Sequence, residues 1–330
     1  MRFPQVVFRL KRFVALASVL LIVCSSCHQV AAEKTTSAPP KDLAEQMRNF
    51  IITISQNAKK IDPQFLIIPQ NGSALAFEKG KSGGDFDKRY LKAIDGFGIE
   101  SLFYNLEADP DSVRIDNLRR LEKVKPVFVS ELVGEDKFAT DAARKNQDLG
   151  FVPFIRLREN VNYEAIPKRI RNENSNDITN LAQAKNYLYL INSGNYDSAA
   201  DFISAIGKTN FDLVIIDLFF NNNVAFTKSE IEKLKIKANG GRRLVVCYLN
   251  IGSAESWRYY WKKGWKLHSP EFLEKQYQGY ENEYWVQYWN RQWQQIIFGN
   301  KNSYLDKVIA AGFDGAYLDN VEAYDYLTRP

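Results

Sequence analysis

The apolar positions of this chain change period along its length. Leu43, Met47, Phe50, Ile51, Ile54, Ala58 and Ile61 recur at spacings of three and four, the stripe of an amphipathic helix. Eight short apolar runs follow: Phe65–Gln70, Gly98–Phe103, Pro126–Ser130, Phe151–Arg156, Tyr187–Ile191, Leu213–Asp217, Leu244–Leu249 and Gly315–Asp319. Their length and their β-branched and aromatic content fit strands buried on both faces, as in a parallel sheet. Helical patterns separate most of them. Asp109–Leu121 follows the second run, Lys137–Leu149 ends at Gly150, Ser198–Ile206 ends at Gly207, and Ser303–Ala311 ends at Gly312. Thr227-Lys228-Ser229-Glu230 reads as a capping box opening another helix, with Ile231 and Leu234 as its stripe.

Strands alternating with helices in this number predict a parallel (β/α)8 barrel of the TIM class. No glycine-rich phosphate loop follows the first strand, which argues against a doubly wound sheet. The Leu43–Ile61 helix has no strand before it, and Gly315–Asp319 has no helical pattern after it. The two ends complement each other, so the barrel reads as cut open inside one βα unit, with the chain end beside the start of that helix and Tyr324 and Tyr326 bordering the active face. The half-barrels span 42–157 and 186–330 of a single domain, 42–330. Polar Arg158–Lys185, with Asn172-Glu173-Asn174-Ser175-Asn176-Asp177, reads as their linker.

Every strand run ends on a polar group: Gln70 and Asn71, Glu100, Glu131, Arg156, Asn192, Asp217, Asn250 and Asp319. In this fold those ends and the loops beyond them form the active face. A second departure from the rhythm lies between Gly252 and Ser303, an insertion after the seventh strand. It holds all six tryptophans (Trp257, Trp261, Trp265, Trp285, Trp289 and Trp293) and Tyr259, Tyr260, Tyr277, Tyr280, Tyr284 and Tyr288. Such rings either build the core of a lid or face sugar C–H surfaces, with N–H and O–H groups for hydroxyls. Trp257 and Trp261, four apart, are expected on one helix.

Composition narrows the chemistry. The chain has 44 Lys+Arg and 39 Asp+Glu, net +5. Arg2, Arg9, Lys11 and Arg12 precede the apolar stretch Phe13–Val23, which is too short to span a bilayer, so 1–27 reads as a signal peptide. Without those four cations the balance is 40 to 39, or +1, which leaves no electrostatic argument for a nucleic-acid partner. Cys24-Ser25-Ser26-Cys27 resembles a bacterial lipoprotein signal. Cys27 is then the lipidated residue, 28–41 a tether, and the location the bacterial cell envelope, periplasmic or outer surface; plain secretion is the alternative. Cys247 alone remains beyond the leader, so no internal disulfide is expected. With only His28 and His268, neither a histidine triad nor a metal site is expected, and no cofactor. Catalysis falls to carboxylates, amides and phenols.

Phe211–Asp217, Cys247–Trp261 and Gly312–Asp319 resemble the N-terminal half of the endo-alpha-1,4-polygalactosaminidase family, glycoside hydrolase family 114. Asn57–Asn71 and Gly96–Asn105 resemble its C-terminal half. The halves stand in swapped order, which implies a circular permutation; a fragment of two tandem copies is the alternative. The chain departs from the family pattern at Ser253 and Asn320. The resemblance implies a retaining, endo-acting glycosidase on an amino-sugar polysaccharide, with Asp319 as nucleophile and Glu100 as general acid/base. It further implies substrate contacts from Asp217, Glu255, Gln70, Asn71, Tyr104, Asn105, Tyr248, Asn250, Trp285 and Asn320. The expected partners are the polysaccharide and a membrane through the lipid anchor, and the expected state is a monomer. A non-catalytic polysaccharide-binding surface lipoprotein on the same barrel is the competing reading.

Overall fold

The computed structural model of the chain describes residues 40–328 other than 81 and 223. The signal peptide, Cys27 and nearly all of the tether therefore lie outside the described residues. No helix among the described residues is long and apolar enough to cross a membrane.

Helix α1, Leu43–Ile61, starts at Asp42, whose carboxylate accepts the Glu45 N–H at 2.9 Å. Met47, Phe50, Ile51, Ile54 and Ala58 are buried, whereas Ile61 is exposed. The parallel strands are β1 (Leu66–Pro69), β2 (Phe97–Ala108), β3 (Val127–Val133), β4 (Val152–Leu157), β5 (Tyr187–Tyr189), β6 (Leu213–Ile216), β7 (Leu244–Asn250) and β8 (Gly315–Asp319). All eight runs expected from the sequence are strands, and β8 has the expected bounds. Between them lie α2 (Lys88–Ala93), α3 (Ser112–Leu121), α4 (Ala139–Gln147), α5 (Ala199–Gly207), α6 (Lys228–Leu234), α7 (Arg291–Ile297) and α8 (Tyr304–Ala310), and α9 (Ala323–Tyr326) follows β8. The Thr227/Glu230 capping box of α6 is formed in full. A helix does follow the last strand, but α9 is a single turn, too short to show as a periodic pattern.

The strands form a mixed α/β, barrel-like arrangement. One parallel sheet runs β1-β8-β7-β6-β5 and another β2-β3-β4. A parallel bridge between Gln70 and Gly98 joins them. The last strand thus lies beside the first, with Leu66–Pro69 opposite Gly315–Leu318. Between β4 and β5 no ladder forms among the described residues. Rings span that seam instead, with Phe154 and Tyr187 at 5.5 Å.

Residues 158–186 carry the chain across the seam with only two single-turn 3-10 helices, Arg158–Asn160 and Leu181–Gln183, and they are not a loose linker. Asn174 donates to Asp212, Lys237 is ion-paired to Asp212 at 2.6 Å with both side chains fully buried, and Arg242 donates its N–H to Asp177. The polar run is therefore docked at the N-terminal ends of β6 and β7. The aromatic insertion folds as a three-stranded antiparallel sheet of Ser253–Glu255, Glu283–Val286 and Leu273–Gln276, followed by α7. Trp257 sits in a turn just after the strand Ser253–Glu255 and Trp261 in an irregular stretch, so the two do not share a helix. At the chain end, Tyr324 and Leu327 pack into the core and α9 lies against α1.

Candidate active site

A cavity of about 500 Å³ opens where the strands end. Its wall includes Gln70, Glu100, Asn105, Arg156, Tyr163, Asp217, Tyr248, Glu255, Trp257, Arg258, Tyr280, Glu283, Asp319, Asn320 and Glu322. Asp319 and Glu100 thus face one space.

Glu100 gets there by a break in β2. The β2–β3 register shifts between Glu100 and Asn105, and Ser101 and Leu106 take left-handed φ values of 49° and 68°. The freed N–H groups of Leu102, Phe103 and Tyr104 donate to the Glu131 carboxylate, which Asn146 also contacts. Arg114 binds the carbonyls of Glu100 and Ser101. A bulge of this kind re-aims a side chain, here Glu100. Glu131 is fully buried and serves the bulge, although it ends a strand run like the others.

The Glu100 carboxylate accepts from Gln70 Nε2 at 2.9 Å, from Arg156 Nη2 at 3.4 Å and from the Tyr163 hydroxyl. Asp319, at the end of β8 opposite Asn250, accepts from the Tyr248 hydroxyl at 2.6 Å and from the Asn320 N–H at 2.7 Å. Burial, and next the charge of Glu100, push the Asp319 carboxyl from its ordinary 3.8 up to about 7. Two further carboxyls share the cavity. Burial and then Glu255 push Glu283 up to about 8, and burial and then Asp319 push Glu322 up to about 8. One Oε of Glu322 is buried without a hydrogen-bond partner.

Asp217 and Glu255 are also in the wall, but Arg258 occupies both. Its guanidinium meets Asp217 at 2.7 Å and Glu255 at 2.6 Å, and all three residues are buried. Burial raises Glu255 while Arg258 opposes the rise. The triad reads as a rigid floor more than as free charge.

Four candidates from the sequence lie outside the cavity wall. The Asn71 side chain ties the Glu100 backbone N–H to Glu322. The Tyr104 hydroxyl turns to Asp141 at 2.6 Å, because the bulge sends it to the far side of β2. Asn250 is buried against Ser253 and Asn320. Trp285 is 3% exposed, packed between Tyr277 at 4.1 Å and Tyr326 at 4.6 Å, so it belongs to the insertion's core. Among the tryptophans only Trp257 is in the described wall. Arg156 and Asn192 stand at run ends in the sequence, whereas Tyr163, Arg258, Glu283 and Glu322 gave no signal there. Each of the four sits in or beside an irregular segment, where no period marks the facing side.

A barrel-like parallel α/β domain with two carboxyls facing one cavity at the strand ends is the arrangement the site presents. The comparisons with known proteins bear on it. The model of glycoside-hydrolase family GH114 matches residues 169–329. The match contains Asp319, Asp217 and Glu255, while Glu100 lies outside it. The chain is 36% identical to an uncharacterized protein of Methanocaldococcus jannaschii over 155 residues, 46% of this chain and 42% of that protein. It is 36% identical to an uncharacterized protein of Thermotoga maritima over 121 residues, 37% of this chain and 36% of that protein. An uncharacterized protein of Deinococcus radiodurans is 35% identical over 122 residues, 37% of each chain. The chain thus spans less than half the length of these curated relatives.

Proposed function

We propose that the protein is a retaining glycosidase acting within an amino-sugar polysaccharide, with Asp319 as nucleophile and Glu100 as general acid/base. The observation that carries this reading is that Glu100, outside the family match, and Asp319, inside it, face one cavity. Retention needs one ionised and one protonated carboxyl, about 5–5.5 Å apart. Burial, and next the charge of Glu100, raise Asp319 to about 7. The reactive form carries the proton on Glu100. It leaves Asp319 an anion fixed by Tyr248 and the Asn320 N–H.

The carboxyl groups of the cavity support the substrate class. Glu100, Asp217, Glu255, Glu283, Asp319 and Glu322 line the cavity, against Arg156 and Arg258. Arg258 is taken by Asp217 and Glu255, and Arg156 is shared with Glu100. The carboxyls without an arginine partner suit a sugar bearing an ammonium group, whose charge would favour their ionised form. The same reading takes the strands as a closed barrel in permuted order. In its support, β8 pairs with β1, and the family match begins in the seam segment and runs to the chain end. Lipidation at Cys27, anchoring in the cell envelope and a monomeric state complete the proposal.

The test is hydrolysis of a partly de-N-acetylated galactosamine or glucosamine polymer. Glu100→Gln and Asp319→Asn are expected to lower kcat by ~100-fold or more while polymer binding persists, and the product released first should keep the anomeric configuration. Unchanged cleavage in both variants overturns the assignment. Binding without cleavage by the unaltered protein would establish the sugar-binding alternative.

A further inference from the structure

Tyr163 belongs to the seam segment, which has neither helix nor strand at that point. Its φ is 56°, a conformation that bulky residues rarely adopt and that clusters at functional sites. The backbone is held there from both sides. The Tyr163 N–H donates to the Asn160 carbonyl at 3.3 Å, and the Asn192 N–H donates to the Tyr163 carbonyl at 3.1 Å. Asn160 in turn is pinned by its Oδ1, which accepts the N–H groups of Glu164 and Ala165.

The ring is clamped as firmly. The Arg156 guanidinium lies 4.1 Å over its centre, and the Tyr189 ring lies 4.0 Å away. The side chain is buried, and its hydroxyl reaches only Glu100 Oε1 and Ser130 Oγ, the latter at 3.1 Å. Arg156 binds the same two partners and also the Val161 carbonyl, at 2.8 Å. The seam segment, Arg156 and Glu100 therefore form one unit around a phenol. Burial and the charge of Glu100 keep that phenol well above its ordinary value of 10, so it remains a donor at neutral pH.

We infer that Tyr163 is a positioning residue for Glu100: its hydroxyl fixes the carboxyl's orientation in the cavity and sets how readily Glu100 exchanges its proton. A ring needed for packing alone would require no hydroxyl on a carboxylate. The inference deepens the glycosidase reading and rests on it for its kinetic consequence, not for its titration.

The experiment uses the exported domain with Tyr163→Phe, which keeps the ring between Arg156 and Tyr189 and removes one oxygen. Carboxyl titration followed by ¹³C NMR on glutamate- and aspartate-labelled free protein reads the Glu100–Asp319 pair directly. Loss of a donor to the anion is expected to move the pair's titration upward by about one pH unit. On the polymer, kcat is expected to fall ~10-fold with KM within twofold, and the pH–rate limb should move with the titration. An unmoved titration in Tyr163→Phe overturns the inference whether or not the protein cleaves polymer. Lack of cleavage by the unaltered protein, with the titration still moved, would overturn the glycosidase reading and leave the positioning of Glu100 intact.

Discussion

Arg258 bridges Asp217 and Glu255, and all three side chains are buried. Arg258→Met is expected to cost about 3–5 kcal/mol, because both acids remain buried without a countercharge; chemical denaturation measures this, and a loss below ~1 kcal/mol would show that the acids are hydrated. Asp319 makes a second prediction at this scale. As the proposed nucleophile it must be ionised, and its carboxyl is pushed up to about 7. kcat/KM should therefore rise as pH approaches 7, and a profile flat from pH 5 to pH 8 would contradict this. Asp319 and Glu100 were legible as strand-end residues, and the family resemblance implied the roles proposed for them. Arg258 and Tyr163 were not, because what marks them is a contact across the fold and neither stands in a periodic run.

At the scale of elements, β2 and the insertion shape the site. The bulge in β2 depends on close packing behind it: a Cβ on Gly98 would lie 2.0 Å from the Tyr317 hydroxyl of β8. Gly98→Ala should destabilise the domain by about 1–3 kcal/mol and reduce activity as Glu100 shifts, read by Tm and kcat together. The hairpin of the insertion places Tyr280 at its tip, 58% exposed yet in the cavity wall. Its ring rests on Tyr277 at 5.0 Å, which rests on Trp285. Tyr280→Ala is expected to raise KM for polymer several-fold with Tm unchanged, since little buried area is lost; an unchanged KM would take the tip out of the substrate path. The strands and most helices were legible as elements because apolar period reports burial directly. The bulge was not, since Glu100–Tyr104 reads as an ordinary apolar run until Glu131 is seen beneath it. The insertion's tryptophans were legible as a cluster, but their division between packing and surface was not.

For the whole molecule, the raised carboxyls set the pH response of stability. Asp319, Glu283 and Glu322 have ordinary values of 3.8, 4.5 and 4.5 and stand at about 7, 8 and 8 when folded. Between about pH 4 and pH 8 the folded state thus holds more protons than the unfolded chain, and stability falls as pH rises. Their contribution is complete below about pH 4 and gone above about pH 8. Asp87, Asp111 and Asp141, held low by their cationic and backbone partners despite some burial, act in the opposite sense and lose their contribution only in stronger acid. Tm should peak near pH 5 and decline toward pH 8, and Glu283→Gln should flatten the decline. A Tm that climbs from pH 5 to pH 8 would contradict this.

The sequence by itself determined the repeating units: eight apolar runs become parallel strands, because strands buried on both faces must be apolar throughout, and their polar ends mark one face. It also fixed the helix between them wherever caps and stripes agree. Only the tertiary structure decided that the seam segment is docked and delivers Tyr163, that a bulge carries Glu100, and that Glu100 and Asp319 line one cavity in which burial raises Asp319. Strand neighbours and proton affinities depend on distance and desolvation between segments far apart in the chain, and no local period records either.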